Sequence, residues 1–567
     1  MAREVVGSED RDGVRVLTLR NPPSNALTQR LRGALIHAVR EVGANVRRII
    51  LCGAGPTFSS ALALEEDVSH PTLAELCAAI EDCSVPVVAV LQGLVMGAGA
   101  ELALAAARRV AAPDTRIALP DIALGLCPAG GTTRRLPTLI GAEAALNLLL
   151  SGRVVGAEEA ARLGLVDRVQ DDPFALALQM SEPHLETMPA GRSGAAFAAA
   201  VAAARRQYPQ TLPAVGRIIA CVEAAALLPR EAHQAFEDVA REDLAASPEA
   251  SALRAAAQAE RRAAAVPQAM SRDPQDMTDR IALHGSGSGL TTVARLALRQ
   301  GVAVDWWQAD DAQRTATRAA LQTGLSAKEL SRLSDRIAQS LAAVHVLAGQ
   351  GDPPPGARAV LVLGGADNHL GLGLAPAGRL CELAMPPGTP VEAVALTIAM
   401  LRRIGLSPLV VGHRPGLGAA VTAAGRAALA RLARLGVAHR AIGTALSGFG
   451  APPPGGLQVA EAEAWQMTET EILARWLGAM ANEGFRLLDQ GIARRPSDID
   501  LALFQGCGFP RWRCGPMHLA DRRGLLVLRH DLRRWANDDP IWAPDPMLDR
   551  LIGDGQRLSD LDQSDLV

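Results

Sequence analysis

Two glycine-rich turns and two acids fall within one short stretch, residues 85–137, and this stretch constrains the fold more than any other part of the chain. Residues 85–91 are a continuous apolar run that predicts a buried strand. The segment MGAGA at 96–100 predicts a tight turn into a helix over 101–109, and a second strand is predicted at 115–119. The pattern therefore predicts a strand-turn-helix unit followed by another strand.

Glu101 opens the predicted helix, and Asp121 follows the second strand just before another glycine-rich turn, PAGG at 128–131. Glycine allows a ligand to approach the backbone closely, and the start of a helix offers N–H groups that stabilise developing negative charge. We therefore expect Glu101 and Asp121 to converge on one bound substrate from two different turns.

Length, charge and cysteine content indicate how many domains to expect, which partners are disfavoured and in which compartment the protein resides. A chain of 567 residues exceeds one typical hydrophobic core, so at least two domains are expected. The net charge of -3 gives no electrostatic reason to expect a nucleic-acid partner. The eight cysteines include no CxxC pair, which favours free thiols in a reducing compartment. The amino terminus is too charged for a signal peptide and no apolar run reaches a membrane span, so we expect a cytoplasmic protein without membrane insertion.

Strand and helix patterns alternate in the first part of the chain. Strands are predicted at 14–19 and 46–53, with an amphipathic helix at 25–42 between them, which indicates an α/β domain. An alanine- and arginine-rich region at 193–265 then predicts helices, which we interpret as a connector rather than a catalytic unit.

A new strand-like segment precedes HGSGSGL at 284–290, a pattern typical of a dinucleotide-binding turn. Gly285 and Gly287 match the first two glycines, but Leu290 stands at the third, and the nearest acidic residue after the next strand, Asp310, comes two positions late. Two alternatives stay open from the residues alone: a weak nucleotide site at these residues, or a Rossmann-like turn without a cofactor.

Four motifs together resemble the enoyl-CoA hydratase/isomerase, or crotonase, family. They are NPPSNAL at 21–27, MGAGAELAL at 96–104, LPDIALGLCPAGGTTRRLP at 119–137 and SGRVVGAEEAARLGLVDRV at 151–169. In that family two backbone N–H groups bind the thioester oxygen of an acyl-CoA while two glutamates handle the proton and water. The resemblance therefore implies an acyl-CoA thioester as the substrate and no cofactor for the hydratase or isomerase step.

The resemblance assigns roles residue by residue. Glu101 matches the first glutamate and Asp121 the second, with the family's interval of 20 positions, although Asp121 is one methylene shorter. The backbone N–H groups of Leu62 and Ala98 match the two oxyanion donors. The loop at 59–63 departs from the family, because alanines replace a glycine and an aspartate on either side of Leu62.

The C-terminal stretch that begins at Leu473 contains Asn482-Glu483, Asp498, Asp500, GFP at 508–510 and GP at 515–516. In these residues it resembles the helical domain of 3-hydroxyacyl-CoA dehydrogenases, especially in multifunctional fatty-acid oxidation enzymes. The family's catalytic histidine corresponds to Leu372, while its orienting glutamate is retained as Glu382. Without the imidazole this half lacks a base of suitable pKa, so the dehydrogenase is expected to be impaired and NAD is not counted as a cofactor.

These observations predict an α/β protein of four parts. A crotonase-like spiral fold at 1–190 is followed by a helical connector at 191–270, a truncated and degenerate Rossmann-like domain at 271–412, and all-α dehydrogenase-like domains at 413–567. The predicted function is enoyl-CoA hydratase or isomerase activity in the first domain. The alternative is a non-catalytic acyl-CoA-binding or scaffold protein in which both halves have decayed. A thiolase partner and self-association both stay open.

Overall fold

The computed structural model describes residues 5–60, 69–180, 194–208, 211–265, 280–284, 288–307, 312, 315–316, 319, 321, 360–363, 370–374, 379–385, 387–452 and 465–563. They belong to two compact units, Met1–Arg254 and Ala255–Val567. The domain boundaries predicted near 190 and 270 fall outside the described residues, so the division into four domains stays a prediction. Among the described residues, no helix is both long and apolar enough to cross a bilayer.

Parallel strands form the frame of the first unit. Its strands are β1 (Val6–Arg11), β2 (Val14–Leu19), β3 (Arg48–Gly53), β4 (Val87–Leu91), β5 (Leu94–Met96), β6 (Arg108–Ala111), β7 (Arg116–Ala118), β8 (Val155–Gly156) and β9 (Arg168–Val169). Within the described ranges, one sheet has the order β1-β2-β3-β4-β6-β9, with only β1 and β2 antiparallel, and a smaller sheet has the order β5-β7-β8. Parallel neighbours need crossover connections, so this topology confirms the predicted α/β alternation.

The helices of the first unit include three from the region 193–265, which was predicted to be a connector. They are α1 (Gln29–Arg40), α2 (Leu73–Glu81), α3 (Ala98–Ala105), α4 (Thr132–Ile140), α5 (Ala142–Ser151), α6 (Ala157–Leu163), α7 (Pro173–Gln179), α8 (Ala195–Gln207), α9 (Pro213–Ala224) and α10 (Arg230–Ala245). Helix α11 (Pro248–Ala264) begins in the first unit and ends in the second. Buried residues of α8, α9 and α10, among them Phe197, Ile218 and Leu244, join the same apolar core as α4 and α5. These three helices are therefore packed into the first unit.

The helix predicted over 101–109 is too long at its C-terminal end. It stops at Ala105, because Ala106 is extended, and the chain then enters β6 between β4 and β9. Arg109 explains the change, since its backbone N–H donates to the carboxylate of Asp167 at 2.8 Å. A tertiary partner 58 residues away thus overrides the local helix preference of the alanine run.

A six-stranded sheet, counted among the described residues, forms the first part of the second unit. Its strands are β10 (Arg280–His284), β11 (Ala303–Trp307), β12 (Val360–Leu363), β13 (Leu370–Leu374), β14 (Leu380–Ala384) and β15 (Ser407–Val411), in the order β11-β10-β12-β13-β14-β15. Only the β13–β14 pair is antiparallel. Helix α12 (Ser288–Arg299) connects β10 to the parallel β11, which gives the predicted β-α-β unit.

Helices make up the rest of the second unit. They are α13 (Val391–Arg403), α14 (Leu417–Arg434), α15 (His439–Phe449), α16 (Glu469–Asp489), α17 (Pro496–Gly506), α18 (Pro516–Arg523), α19 (Leu525–Trp535), α20 (Pro546–Gly553) and α21 (Leu558–Leu561). Asp500 holds the start of α18 in place. Its buried carboxylate accepts hydrogen bonds from the backbone N–H groups of Met517 and His518. A Cβ at Gly515 would lie 2.1 Å from an Asp500 oxygen, so glycine is required there.

Candidate active site

Glu101 lies in the first turn of α3 and is almost completely buried. The helix begins after Gly97, whose φ of 53° favours glycine, and Ala98 is its first residue. The Thr132 hydroxyl donates a hydrogen bond to Glu101 Oε2 at 2.7 Å. Burial, and then the nearby charge of Asp121, raise the pKa of Glu101 well above its usual value. The carboxyl group of Glu101 therefore holds its proton more tightly than an exposed glutamate does.

The backbone of Ser59 lies against the start of α3. The N–H of Met96 donates to the carbonyl oxygen of Ser59 at 3.0 Å, and a Cβ at Gly99 would lie only 2.1 Å from that same oxygen. Leu62, the predicted second oxyanion donor, lies outside the described residues. Ala98 is at the predicted position, with its N–H among the first four of α3, which have no intrahelical acceptor.

The NPPSNAL motif positions this backbone through one buried amide. The side-chain amide of Asn25 donates to the carbonyl oxygens of Ala54, Thr57 and Phe58, at 2.8 to 3.1 Å. Its amide oxygen accepts the N–H of Asn21 at 3.0 Å. These contacts fix the segment that leads to Ser59, so the motif has a structural role here.

Asp121 lies in a 3₁₀ turn, Pro120–Leu124, and is buried near Glu101. The guanidinium of Arg241, on α10, forms an ion pair with Asp121 at 3.2 Å between Nη1 and Oδ1. The same guanidinium nitrogen donates to the carbonyl oxygen of Cys127. The structure thus brings the two predicted acids together and adds a cation that the sequence did not predict.

Glu237, also on α10, is a third buried carboxylate close to the site. It accepts hydrogen bonds from the N–H of Gly131 at 2.6 Å and from the N–H and hydroxyl of Thr133 at 2.9 and 2.6 Å. These groups form the start of α4, so Glu237 satisfies N–H groups that the helix itself leaves unpaired. Burial raises the pKa of Glu237 to about 7, against the hydrogen bonds and the positive charge of Arg135.

Glu237 and Arg241 were missed, although the sequence contains a signal for them. His233, Glu237 and Arg241 follow one another at intervals of four residues, and all three are buried. This spacing places the three side chains on one face of α10, but the signal is weak because the same helix carries other charged residues. Interpreting the region as a connector hid this pattern.

Glu237 gives a pH-dependent contribution to stability. The unfolded chain releases this proton near its usual pKa of 4.5, whereas the folded protein holds it up to about 7. The contribution is complete below pH 4.5 and is lost as the pH rises to 7, by about 3 kcal/mol. Wild type should therefore lose unfolding free energy relative to Glu237→Gln between pH 4.5 and 7, as measured by urea unfolding followed by circular dichroism. Other acids titrate in both proteins, so parallel curves over this range would contradict the raised pKa.

A cavity of about 440 Å³ lies between α2 and α10, and neither Glu101 nor Asp121 lines it. Its wall includes Leu73, Ala78 and Ala129 together with Arg241, the partner of Asp121. A larger cavity of about 1150 Å³ lies along α5 and α8 and is lined by neither Glu101 nor Asp121. The smaller cavity is therefore linked to Asp121 through Arg241.

The structure describes some of the predicted dehydrogenase residues and not others. Gly285, Gly287 and Asp310 lie outside the described residues. Leu372, at the position of the family's histidine, is fully buried in the apolar core of the second unit. Glu382 lies on β14 opposite Gly373, and its carboxylate accepts the N–H groups that begin α14, those of residues 416–418.

Comparisons with known proteins match two different families to two separate parts of the chain. The model of the enoyl-CoA hydratase/isomerase family matches residues 9–217, and that of the 3-hydroxyacyl-CoA dehydrogenase C-terminal domain matches residues 472–559. A Bacillus subtilis protein described as "Probable enoyl-CoA hydratase" is 36% identical over 194 residues, which cover 31% of this chain and 75% of that protein. The chain belongs to the enoyl-CoA hydratase/isomerase family.

The presence of both domains in one chain defines a narrower class of protein. The chain is 27% identical to the peroxisomal bifunctional enzyme of Danio rerio over 707 aligned positions, which cover 96% of each protein. A solved enoyl-CoA hydratase from Mycobacterium smegmatis is 27% identical, with a TM-score of 0.31, and the match covers 43% of this chain and 100% of that one. The chain joins a hydratase/isomerase domain to a dehydrogenase C-terminal domain, the layout of bifunctional β-oxidation proteins.

Proposed function

We propose that the first unit hydrates or isomerises an enoyl-CoA thioester, with Glu101 as the main acid/base group. The observation that carries this proposal is the buried Glu101 carboxyl, held by Thr132 one turn into α3, whose first N–H group belongs to Ala98. In the proposal, the N–H groups of Ala98 and Leu62 bind the thioester oxygen and stabilise the enolate that forms. The acyl group extends into the cavity of about 440 Å³ beside α2 and α10.

The chemistry needs one proton carrier at each reacting carbon. Hydration adds the oxygen of water to C3 and a proton to C2, while isomerisation removes a proton from one carbon and returns one two carbons away. Glu101 and Asp121 are close enough to interact electrostatically, so they can serve the same substrate. The test is loss of crotonyl-CoA absorbance on addition of the protein, with the product identified by chromatography; an unchanged spectrum would contradict hydration, and a 3-enoyl-CoA tests isomerisation.

A non-catalytic acyl-CoA-binding protein is the second candidate. The ion pair between Asp121 and Arg241 favours it, because a paired carboxylate has less freedom to exchange protons. The altered residues on either side of Leu62 favour it as well. Tight binding of crotonyl-CoA in isothermal titration calorimetry, with no conversion of either substrate after prolonged incubation, would establish this second function.

We further propose that the dehydrogenase half has lost its activity, so that no hydride step passes through it. Leu372 cannot accept a hydroxyl proton, and the carboxylate of Glu382 is already occupied by backbone N–H groups. Leu290 at the third glycine position is buried in the apolar core, and we count no NAD site.

Purified protein given 3-hydroxybutyryl-CoA and NAD should form no NADH above the rate measured without protein. The same preparation assayed with crotonyl-CoA serves as the control for correct folding. NADH formation at an ordinary enzymatic rate, at or above about 1 per second, would show that the second half is active.

Location and partners belong to the proposal as well. The cytoplasmic location predicted from the sequence stays a prediction, since the Danio rerio relative is named as a peroxisomal enzyme. A thiolase partner would consume the oxidised product of a complete cycle, so the proposed loss of the dehydrogenase step leaves self-association as the simpler expectation.

A further inference from the structure

Helix α10 lies beyond the part of the chain that matches the hydratase/isomerase family. The family match ends at residue 217, and α10 begins at Arg230. Nevertheless α10 contacts the turn that begins α4 through Glu237, and it contacts Asp121 itself through Arg241. The inference below rests on the proposed function, because it concerns the same two acids.

Glu237 acts on Glu101 through the turn that begins α4. Its carboxylate binds Gly131 and Thr133 on either side of Thr132. Thr132 in turn donates its hydroxyl to Glu101. Moving the carboxylate of Glu237 would therefore move the one hydroxyl that the structure shows bound to Glu101.

Arg241 acts on Asp121 directly. One helical turn after Glu237, its guanidinium joins the carboxylate of Asp121 to the carbonyl oxygen of Cys127. It thereby ties the beginning of the segment 121–127 to its end. An adjacent guanidinium also favours the charged form of a carboxylate and fixes its direction.

We propose that α10 is a working part of the hydratase/isomerase site, in which Glu237 and Arg241 are positioning residues for Glu101 and Asp121. The catalytic unit then extends past the family match to the end of α10. Glu237 orients the Thr132 hydroxyl that donates to Glu101, and Arg241 fixes the direction of the Asp121 carboxylate.

The test compares four full-length variants with wild type on crotonyl-CoA. Arg241→Met should lower kcat by about 10²-fold, and Glu237→Gln by roughly tenfold, because small displacements of a reacting group are costly. KM should change less than about threefold, since neither residue is proposed to bind the thioester. Arg241→Lys, which keeps the charge, should recover at least about tenfold of the loss. Val239→Ala, on the exposed face of the same helix, should match wild type.

A double-mutant cycle separates positioning from general destabilisation. If Arg241 acts through Asp121, then Arg241→Met should cost less than about threefold in kcat when Asp121 is already asparagine. The same hundredfold loss in both backgrounds would overturn the role of Arg241. Wild-type kcat in both Arg241→Met and Glu237→Gln would overturn the whole inference.

Crystal structures of the variants decide the inference even if the wild type shows no turnover, in which case the proposed function fails separately. In Glu237→Gln the Thr132 hydroxyl should leave hydrogen-bonding distance of Glu101, and in Arg241→Met the Asp121 carboxylate should turn away from its present direction. Unchanged positions of both groups would show that α10 does not position the acids.

Discussion

Replacing Glu101 with glutamine should lower kcat on crotonyl-CoA by about 10²–10⁴-fold while the protein stays folded. Glutamine has nearly the same shape and can still accept the Thr132 hydroxyl, but it cannot take up or release a proton at the reacting carbon. Loss of crotonyl-CoA absorbance measures the rate, and thermal unfolding measures the fold. Crotonyl-CoA binding should change little, because the proposed thioester contacts come from backbone N–H groups.

Glu158→Gln is the matched control for this substitution. Glu158 lies in the first turn of α6 in the same unit and is exposed, so its replacement should leave kcat unchanged and stability within about 0.5 kcal/mol. A Glu101→Gln variant that retained the wild-type rate would remove Glu101 from the mechanism. Equal losses in the two variants would instead indicate damage unrelated to the site.

Replacing Gly99 with alanine should lower kcat/KM by about 10²-fold and destabilise the first unit by about 1–3 kcal/mol. The new methyl group would lie 2.1 Å from the carbonyl oxygen of Ser59, so either that backbone or the start of α3 must move. Both flank the proposed oxyanion site. Steady-state kinetics on crotonyl-CoA and circular dichroism melting measure the two effects.

Gly33→Ala provides the same chemical change with the opposite expected sign. Gly33 lies inside α1, where an added Cβ would meet only Pro71 at 3.9 Å, an ordinary contact. Alanine in place of a helical glycine should stabilise by about 0.5–1 kcal/mol and leave kcat/KM unchanged. If Gly99→Ala behaved like Gly33→Ala, the close approach of Ser59 to α3 would be wrong.

The parts of the fold and site that could be predicted from the sequence are those that local pattern determines. The turn at 96–100 and the acid just after it are close in sequence, so glycine spacing and apolar runs predicted Glu101 in the first turn of a helix. Asp121 followed from the next strand in the same way. Both are indeed buried near each other.

The parts that could not be predicted depend on partners far away along the chain. Glu237 contacts Gly131 across 106 positions, and Arg241 contacts Asp121 across 120. The four-residue spacing along α10 predicts only that these side chains share a face, and no local pattern records the distant partners that they meet. The early end of α3 has the same cause, since β6 is fixed by the distant carboxylate of Asp167.

Glu382 matches a glutamate of the dehydrogenase pattern, and in this structure its carboxylate has a structural role. The dehydrogenase resemblance gives this position to a glutamate that orients a histidine, yet here the carboxylate ties the first amides of α14 to a strand of the sheet. Its removal would leave buried amides without acceptors and so would cost stability. Selection for architecture alone could therefore preserve this glutamate. A retained active-site residue does not by itself indicate a retained activity.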